Sequence, residues 1–172
     1  MLILVTGGAG SGKSAFAESL LDGWRGEKIY LATMAAGDGE SLRRIERHRA
    51  MRVGKGFATV ERQRDLGVLS LPTGCAVLVE DLPNLWANQL FAPGGEPGRE
   101  EDVLAGLDTL CSTAARVVVV SGELFSDGTD YAPETARYLE GLATLHRALA
   151  ARAAAVYEVV CGIPVTWKGE KA

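Results

Sequence analysis

Residues Gly7 to Ser14 read G-G-A-G-S-G-K-S and follow the apolar run Leu2–Thr6, L-I-L-V-T. A short buried strand running into G-x-x-x-x-G-K-S is suited to holding phosphate. Gly7, Gly8, Gly10 and Gly12 remove side chains that would keep a nucleotide's phosphates away from the backbone, and Ala9 and Ser11 complete the loop. The freed backbone N–H groups can then point at phosphate oxygens at the start of the following helix. Lys13 is expected to face solvent and reach the β- and γ-phosphates, and the Ser14 hydroxyl to ligate magnesium. The plainer alternative is a Gly-rich strand-to-helix turn with no ligand. The apolar run before the loop and the amphipathic helix after it argue for a nucleoside triphosphate.

A second acidic signal lies at Ala76-Val77-Leu78-Val79, an apolar strand ending in Glu80-Asp81. Phosphate-loop proteins hold magnesium near a carboxylate at such a strand end, usually through water. An exposed acid or a helix N-cap would explain the same residues. Asp81 suits the cap, with Pro83 in the first helical turn. Glu80 therefore takes the metal role and Asp81 the cap.

The segment Leu42–Arg52 reads L-R-R-I-E-R-H-R-A-M-R. Helical spacing puts Arg44, His48 and Arg52 on one stripe, where a phosphate-rich ligand could be met. Neighbouring guanidinium charges favour neutral imidazole, leaving a ring nitrogen free to attack phosphorus. From these residues alone an Arg-rich solvated face with a passive histidine is the stronger reading. His146 lies in an Ala- and Leu-rich helix and receives no role.

Seven apolar runs read as strands: Leu2–Thr6, Ile29–Ala32, Ala58–Glu61, Ala76–Glu80, Val117–Ser121, Val156–Val160 and Ile163–Trp167. Helix patterns lie between them. One follows the phosphate loop, with Phe16, Ala17, Leu20 and Leu21 on one face, and stops near Gly23. Others are expected over Glu40–Met51, Pro83–Phe91, Glu101–Ala114 and Pro133–Ala155. Short apolar strands alternating with helices imply an α/β fold of the phosphate-loop type, a mainly parallel sheet with helices on both faces. The last two strands, around Cys161-Gly162, read as an edge hairpin. Two loops stand out. Ala92–Glu100 is expected to be exposed and mobile. Gly122–Ala132 follows a buried strand at its C-terminal end, the edge where open α/β sheets bind ligands.

The chain has 172 residues, enough for a core without staples, and is read as one domain spanning 1–172. Its 47% hydrophobic and 23% charged content is ordinary for a soluble protein, and a net charge of −4 argues against nucleic-acid binding by general electrostatics. Cys75, Cys111 and Cys161 show neither metal-ligand spacing nor a disulfide framework. All three read as core residues in a reducing compartment. No apolar run reaches membrane-spanning length, and no signal peptide is apparent, so a cytoplasmic protein is expected.

Together these segments resemble the adenosylcobinamide kinase / adenosylcobinamide-phosphate guanylyltransferase family of cobalamin biosynthesis. Leu4 to Glu18, L-V-T-G-G-A-G-S-G-K-S-x-x-A-E, is similar to the family's start. Tyr30-Leu31-Ala32-Thr33 resembles its Y-[IL]-A-T, and Asp38-Gly39-Glu40 its D-x-E-M, with Ser41 in place of Met. Arg44-Ile45-Glu46-Arg47-His48 resembles R-I-x-x-H, whose histidine is the one guanylylated in the family. Phe57-Ala58-Thr59-Val60-Glu61 resembles W-x-T-x-E, one residue further from the histidine than usual. Ala76 to Phe91 fits with Glu80 in the acidic slot, and Val159 to Ile163 resembles the closing V-x-S-G-I.

The chain departs from the family after the fifth strand. N-E-V-G-x-G-I-V-P is replaced by Gly122-Glu123-Leu124-Phe125-Ser126-Asp127-Gly128 and extra residues before Pro133. Arg137-Tyr138-Leu139-Glu140 is a weak echo of the following family pattern, and His146-Arg147 stand where Asn-Gln might be. The resemblance is close over about residues 1–91, loose over 92–155 and partial at the end.

The resemblance implies two reactions. One phosphorylates the aminopropanol hydroxyl of adenosylcobinamide from ATP or GTP. The other takes GMP from GTP onto His48 and passes it to adenosylcobinamide phosphate. It also implies nucleotide contacts at Leu31, Ala32, Thr33, Arg49, Arg52 and Glu61, magnesium at Ser14 and Glu80, and a homo-oligomer. The residues themselves leave two rivals: a phosphate-loop kinase of another small hydroxylated molecule, and a non-catalytic nucleotide-binding regulatory protein.

Overall fold

The structure, a computed structural model, describes residues 1–35, 46, 50, 54–93, 97–126 and 130–170. Its centre is a seven-stranded sheet in the order β3-β2-β4-β5-β1-β6-β7. The strands are β1 (Leu2–Gly7), β2 (Lys28–Ala32), β3 (Phe57–Glu61), β4 (Ala76–Glu80), β5 (Arg116–Gly122), β6 (Ala155–Val160) and β7 (Ile163–Lys168). The described helices of at least seven residues are α1 (Lys13–Ser19), α2 (Leu82–Leu90), α3 (Glu100–Thr113) and α4 (Pro133–Arg152). Every strand pairing is parallel except β6 with β7. The α/β fold, mainly parallel with an edge hairpin, is therefore as the alternating apolar runs predict.

The two faces of the sheet follow from the two-residue period of a strand. Leu2, Leu4, Leu31, Val77, Val79, Val117 and Val119 face a core shared with α2, α3 and α4. Ile3, Val5, Tyr30, Ala76, Leu78, Val118 and Val120 face the other core, closed by Ala17 and Leu21. β4 and β5 are buried on both faces, which is why they read as unbroken apolar runs rather than alternating ones. β3, at the sheet edge, is largely exposed.

Several boundaries differ from expectation. α1 ends at Ser19, and Leu20–Gly23 form a turn that still buries Leu21. α4 stops at Arg152 rather than Ala155, because Ala153 is already extended and Ala155 enters β6. Cys75 is buried and Cys111 packs half-buried against the core, but Cys161 is exposed. Cys161 sits in the β6–β7 turn, where the reversal of direction, not packing, sets its place. The helix expected over Glu40–Met51 lies outside the described residues except for Glu46 and Ala50, both helical. Among the described residues no helix is long and apolar enough to cross a membrane.

This order brings the C-terminal ends of β4, β5 and β1 side by side. Gly7 stands opposite Gly122, and Glu80 opposite Val120. The loop after β1, the acid at the end of β4 and the loop after β5 therefore share one edge.

Candidate active site

The loop leaving β1 has the backbone its glycines allow. Gly12 caps α1 with φ 90°, in the left-handed region that side chains disfavour. A Cβ on Gly7 would lie 2.6 Å from both Val159 O and Ser11 Oγ, so only glycine fits there. At Gly8 and Gly10 an added Cβ would meet nothing within 4 Å, which leaves the loop open at those positions. Lys13 does not stand out into solvent as expected. It is half-buried, and its Nζ donates to Gly8 O at 3.1 Å, folding the ammonium over the loop's own carbonyl. A phosphate arriving at the loop would compete for those Lys13 protons.

The far end of the chain supports the loop. Gly162, in the β6–β7 turn, donates its N–H to Ser11 O at 2.8 Å. A Cβ on Gly12 would lie 3.4 Å from Gly162 Cα, so the two backbones pack closely. The V-x-C-G-I stretch that closes the chain therefore buttresses the phosphate loop, a contact that 150 residues of intervening sequence conceal.

Glu80 ends β4 as a buried carboxyl and accepts a hydrogen bond from Ser14 Oγ at 2.7 Å. Burial pushes its pKa up to about 7; the nearby charges of Asp81 and Glu18 add to this, and the Ser14 hydrogen bond and Lys13 oppose it. The Ser14 hydroxyl and the Glu80 carboxylate are hard oxygen donors held together at the phosphate loop. That donor set fits magnesium, which favours few protein oxygens with phosphate and water completing its shell. Among the described residues no group of three or more His, Cys, Asp or Glu could hold a metal.

Asp81 is the helix cap. Its Oδ1 accepts from Asn84 N at 2.9 Å and from Asn84 Nδ2 at 2.7 Å, and Pro83 lies in the first turn of α2. Two adjacent acids thus have different duties because one side chain turns into the strand-end site and the other back onto its helix.

Thr33 is fully buried and clasps this junction. Its N–H donates to Glu80 O at 3.1 Å and its hydroxyl bonds the Asp81 backbone at 2.8 Å, while Asn88 Nδ2 donates to Thr33 O. Leu31 is buried in the core. Leu31 packs, and Thr33 holds the turn that carries Glu80. Ala32 is half-buried and in register between Glu61 and Glu80. Glu61 is exposed at the end of β3, two strands and about 10 Å from Glu80 along the strand-end row.

The end of β5 carries a pairing that no sequence pattern marks. Ser121 is fully buried, and its Oγ lies 2.6 Å from His146 Nε2 on α4. Phe125 meets the His146 ring edge-on at 5.6 Å between centroids. Burial lowers the His146 pKa, with the Glu123 carboxylate opposing. Glu123 in turn donates its N–H to Gly7 O, tying this loop to the phosphate loop. Nothing in an Ala- and Leu-rich helix marks one histidine for this duty; the pairing arises from helix-to-strand packing.

His48, Arg49 and Arg52 lie outside the described residues. On the strand side of that segment, Lys55 Nζ pairs with Glu18 Oε2 of α1.

Comparison with known proteins adds the family. The cobinamide kinase / cobinamide phosphate guanyltransferase model matches residues 3–167. The bifunctional adenosylcobalamin biosynthesis protein CobU of Escherichia coli is 36% identical, over 98% of this chain and all of its own length. The bifunctional adenosylcobalamin biosynthesis protein CobP of Pseudomonas aeruginosa is 34% identical over 97% of both chains. A solved structure from Pyrococcus horikoshii OT3 shares the fold with a TM-score of 0.53 at 10% identity, covering 99% of this chain and 87% of its own. With the phosphate loop, the acid at the end of β4 and agreement along the whole chain, this protein belongs to the cobinamide kinase / cobinamide phosphate guanyltransferase family, and is a phosphotransferase and nucleotidyltransferase of cobalamin biosynthesis.

Proposed function

We propose that both transfers run at the shared edge of β1, β4 and β5, with His48 as the guanylyl carrier. The observation that carries this reading is the Ser14–Glu80 hydrogen bond, which joins the G-K-S of the phosphate loop to the acid at the end of β4.

In the kinase reaction the aminopropanol hydroxyl of adenosylcobinamide attacks the γ-phosphorus of ATP or GTP. The bond to the β-phosphate oxygen breaks, and the nucleoside diphosphate leaves. Lys13 and the loop N–H groups meet the charge that develops on the transferred and leaving oxygens. Magnesium held by Ser14 and Glu80 would supply charge neutralisation across the β- and γ-phosphates. Ala9 and Ser11 belong to the same cradle through their backbones.

In the guanylyl reaction a ring nitrogen of His48 attacks the α-phosphorus of GTP, and pyrophosphate leaves. A phosphate oxygen of adenosylcobinamide phosphate then attacks the same phosphorus and releases His48. The covalent intermediate divides one difficult exchange into two in-line displacements. Arg49, Arg52 and Glu61 are nucleotide-binding candidates in this step. The chain acts as one unit over residues 1–172, in the cytoplasm and as a homo-oligomer.

The test is incubation of the protein with GTP and magnesium, followed by mass spectrometry of the intact chain. The parent should gain one GMP, as a phosphoramidate stable to base and labile to acid. His48→Asn should lose the adduct and all guanylyl transfer yet keep kinase activity, and His146→Asn should keep the adduct. Labelling of His48→Asn at the parental level would overturn the assignment.

A further inference from the structure

We propose that Leu124 and Phe125, just beyond the C-terminal end of β5, form the surface that receives the corrin ring of adenosylcobinamide. The inference rests on the reading of this strand edge as the place of transfer, and it names the side from which the acceptor comes. The two side chains are large, adjacent in the chain, and 41% and 40% exposed. Neither is left loose. The Glu123 N–H donates to Gly7 O at 3.1 Å, its Oε1 accepts from Phe125 N at 2.9 Å, and its Oε2 accepts from Ser126 Oγ at 2.9 Å. Phe125 stands edge-on to His146, whose Nε2 lies 2.6 Å from Ser121 Oγ. An apolar pair that stays exposed on a braced loop offers a ligand contact area at little ordering cost.

The pair lies where an acceptor must arrive. β5 runs between β4 and β1, and Gly122 stands opposite Gly7. A Cβ on Gly122 would lie 3.7 Å from both Leu124 Cδ2 and Pro83 Cγ, so Leu124 and the first turn of α2 flank the same strand end. The acceptor hydroxyl of adenosylcobinamide ends a short amide arm. The ring that carries the arm must therefore rest on protein within one arm's length of the phosphate loop. A corrin ring is broad and bears methyl groups, and seating it calls for apolar contact.

Charge selects the same occupant. Between Arg116 and Arg137 the chain carries no Lys or Arg, and its acids there include Glu123, Asp130 and Glu134. Such a segment repels a triphosphate. Adenosylcobinamide is a cation, because trivalent cobalt outweighs the single negative charges of the corrin ring and the adenosyl carbon. The nucleotide has its own partners in the open glycine loop and Lys13.

The test is steady-state phosphorylation of adenosylcobinamide by the full-length protein, with corrinoid and ATP varied in turn. Leu124→Ser/Phe125→Ser should raise the corrinoid KM about tenfold or more and change kcat and the ATP KM less than about twofold, since the lost contacts bind ground and transition states alike. Leu124→Met/Phe125→Tyr, which keeps volume and apolar area, should restore most of the corrinoid affinity. Leu124→Lys sets a cation against a cation at an exposed position, and should raise the same KM without lowering the melting temperature. A parental corrinoid KM in both the serine variant and Leu124→Lys would overturn the proposal. So would an ATP KM that rises in parallel, the mark of a loosened loop. A change in assembly mass by light scattering, with the corrinoid KM unmoved, would overturn it in favour of a contact between copies. Unchanged kinetics in Lys13→Ala would instead defeat the placement of transfer at this edge, and this inference with it.

Discussion

The ends of β4 and β5 each pair a serine hydroxyl with a buried titratable group. Ser14 Oγ lies 2.7 Å from Glu80 Oε1, and Ser121 Oγ lies 2.6 Å from His146 Nε2. Burial drives both partners toward neutrality, raising the acid and lowering the base. The serines differ in what they face. Ser14 lies in the first turn of α1, directly after the glycine loop whose Gly8 and Gly10 are open, so the proposed phosphate site lies on the Glu80 side. Ser121 is fully buried beneath Phe125 and α4, so the His146 pair is a fastening of the neighbouring loop. On the proposed reading, similar hydrogen bonds serve binding on one side and support on the other. Substitution should separate the two.

The largest effect is expected at Lys13. Lys13→Ala removes the ammonium proposed to meet transferred charge and should lower both activities by about 10²- to 10³-fold. Its loss removes one hydrogen bond to Gly8 O and little packing, so the melting temperature should hold. Unchanged steady-state kinetics would dissolve the contrast between the two strand ends.

Glu80→Gln should reduce magnesium-dependent turnover by about 10²-fold while stabilising the ligand-free protein at neutral pH. The sign follows from linkage. The folded carboxyl titrates near 7 against an ordinary 4.5, so its favourable contribution is full below 4.5 and is lost as pH rises to about 7. Gln carries no such loss. The variant's advantage in chemical denaturation should therefore grow over that window, to no more than about 3 kcal/mol.

At the other strand end the effects should fall on stability. Ser121→Ala leaves His146 without its partner and should cost about 1–2 kcal/mol by denaturant titration, with little change in magnesium dependence. The lowered pKa of His146 means that its contribution is present above 6.5 and is lost as pH falls through the folded value. His146→Leu should flatten that acid-side slope. A turnover loss in Ser121→Ala equal to that in Glu80→Gln would show that both pairs belong to the chemistry.

The smallest effect is expected at Asp81. Asn caps helices about as well as Asp, so Asp81→Asn should change stability by less than about 1 kcal/mol and turnover less than Glu80→Gln does. Matching catalytic losses in the two variants, measured at equal folded fraction, would erase the division between neighbouring acids.

Legibility differed along the chain for physical reasons. β4 and the phosphate loop were readable because their constraints are local: a strand buried on both faces must be apolar throughout, and backbone that approaches phosphate must lack side chains. The capping role of Asp81 was readable because Pro83 betrays the helix start. The bond of the Thr33 hydroxyl to the Asp81 backbone was not readable, because its partner lies 48 residues away. Cysteine is usually buried, which predicts a core Cys161, yet a hairpin turn holds it outside.

By itself the sequence determined which of the described segments are strands and helices, where the glycine loop lies and which acid ends β4, since each depends on residues adjacent in the chain. The tertiary structure alone decided which strand ends meet. Only strand order sets Gly7 beside Gly122, brings Gly162 against Ser11, closes Ser121 onto His146 and seats Lys55 on Glu18. Those partners lie 25 to 151 residues apart, and no short-range pattern encodes a pairing that exists only once two buried faces have packed.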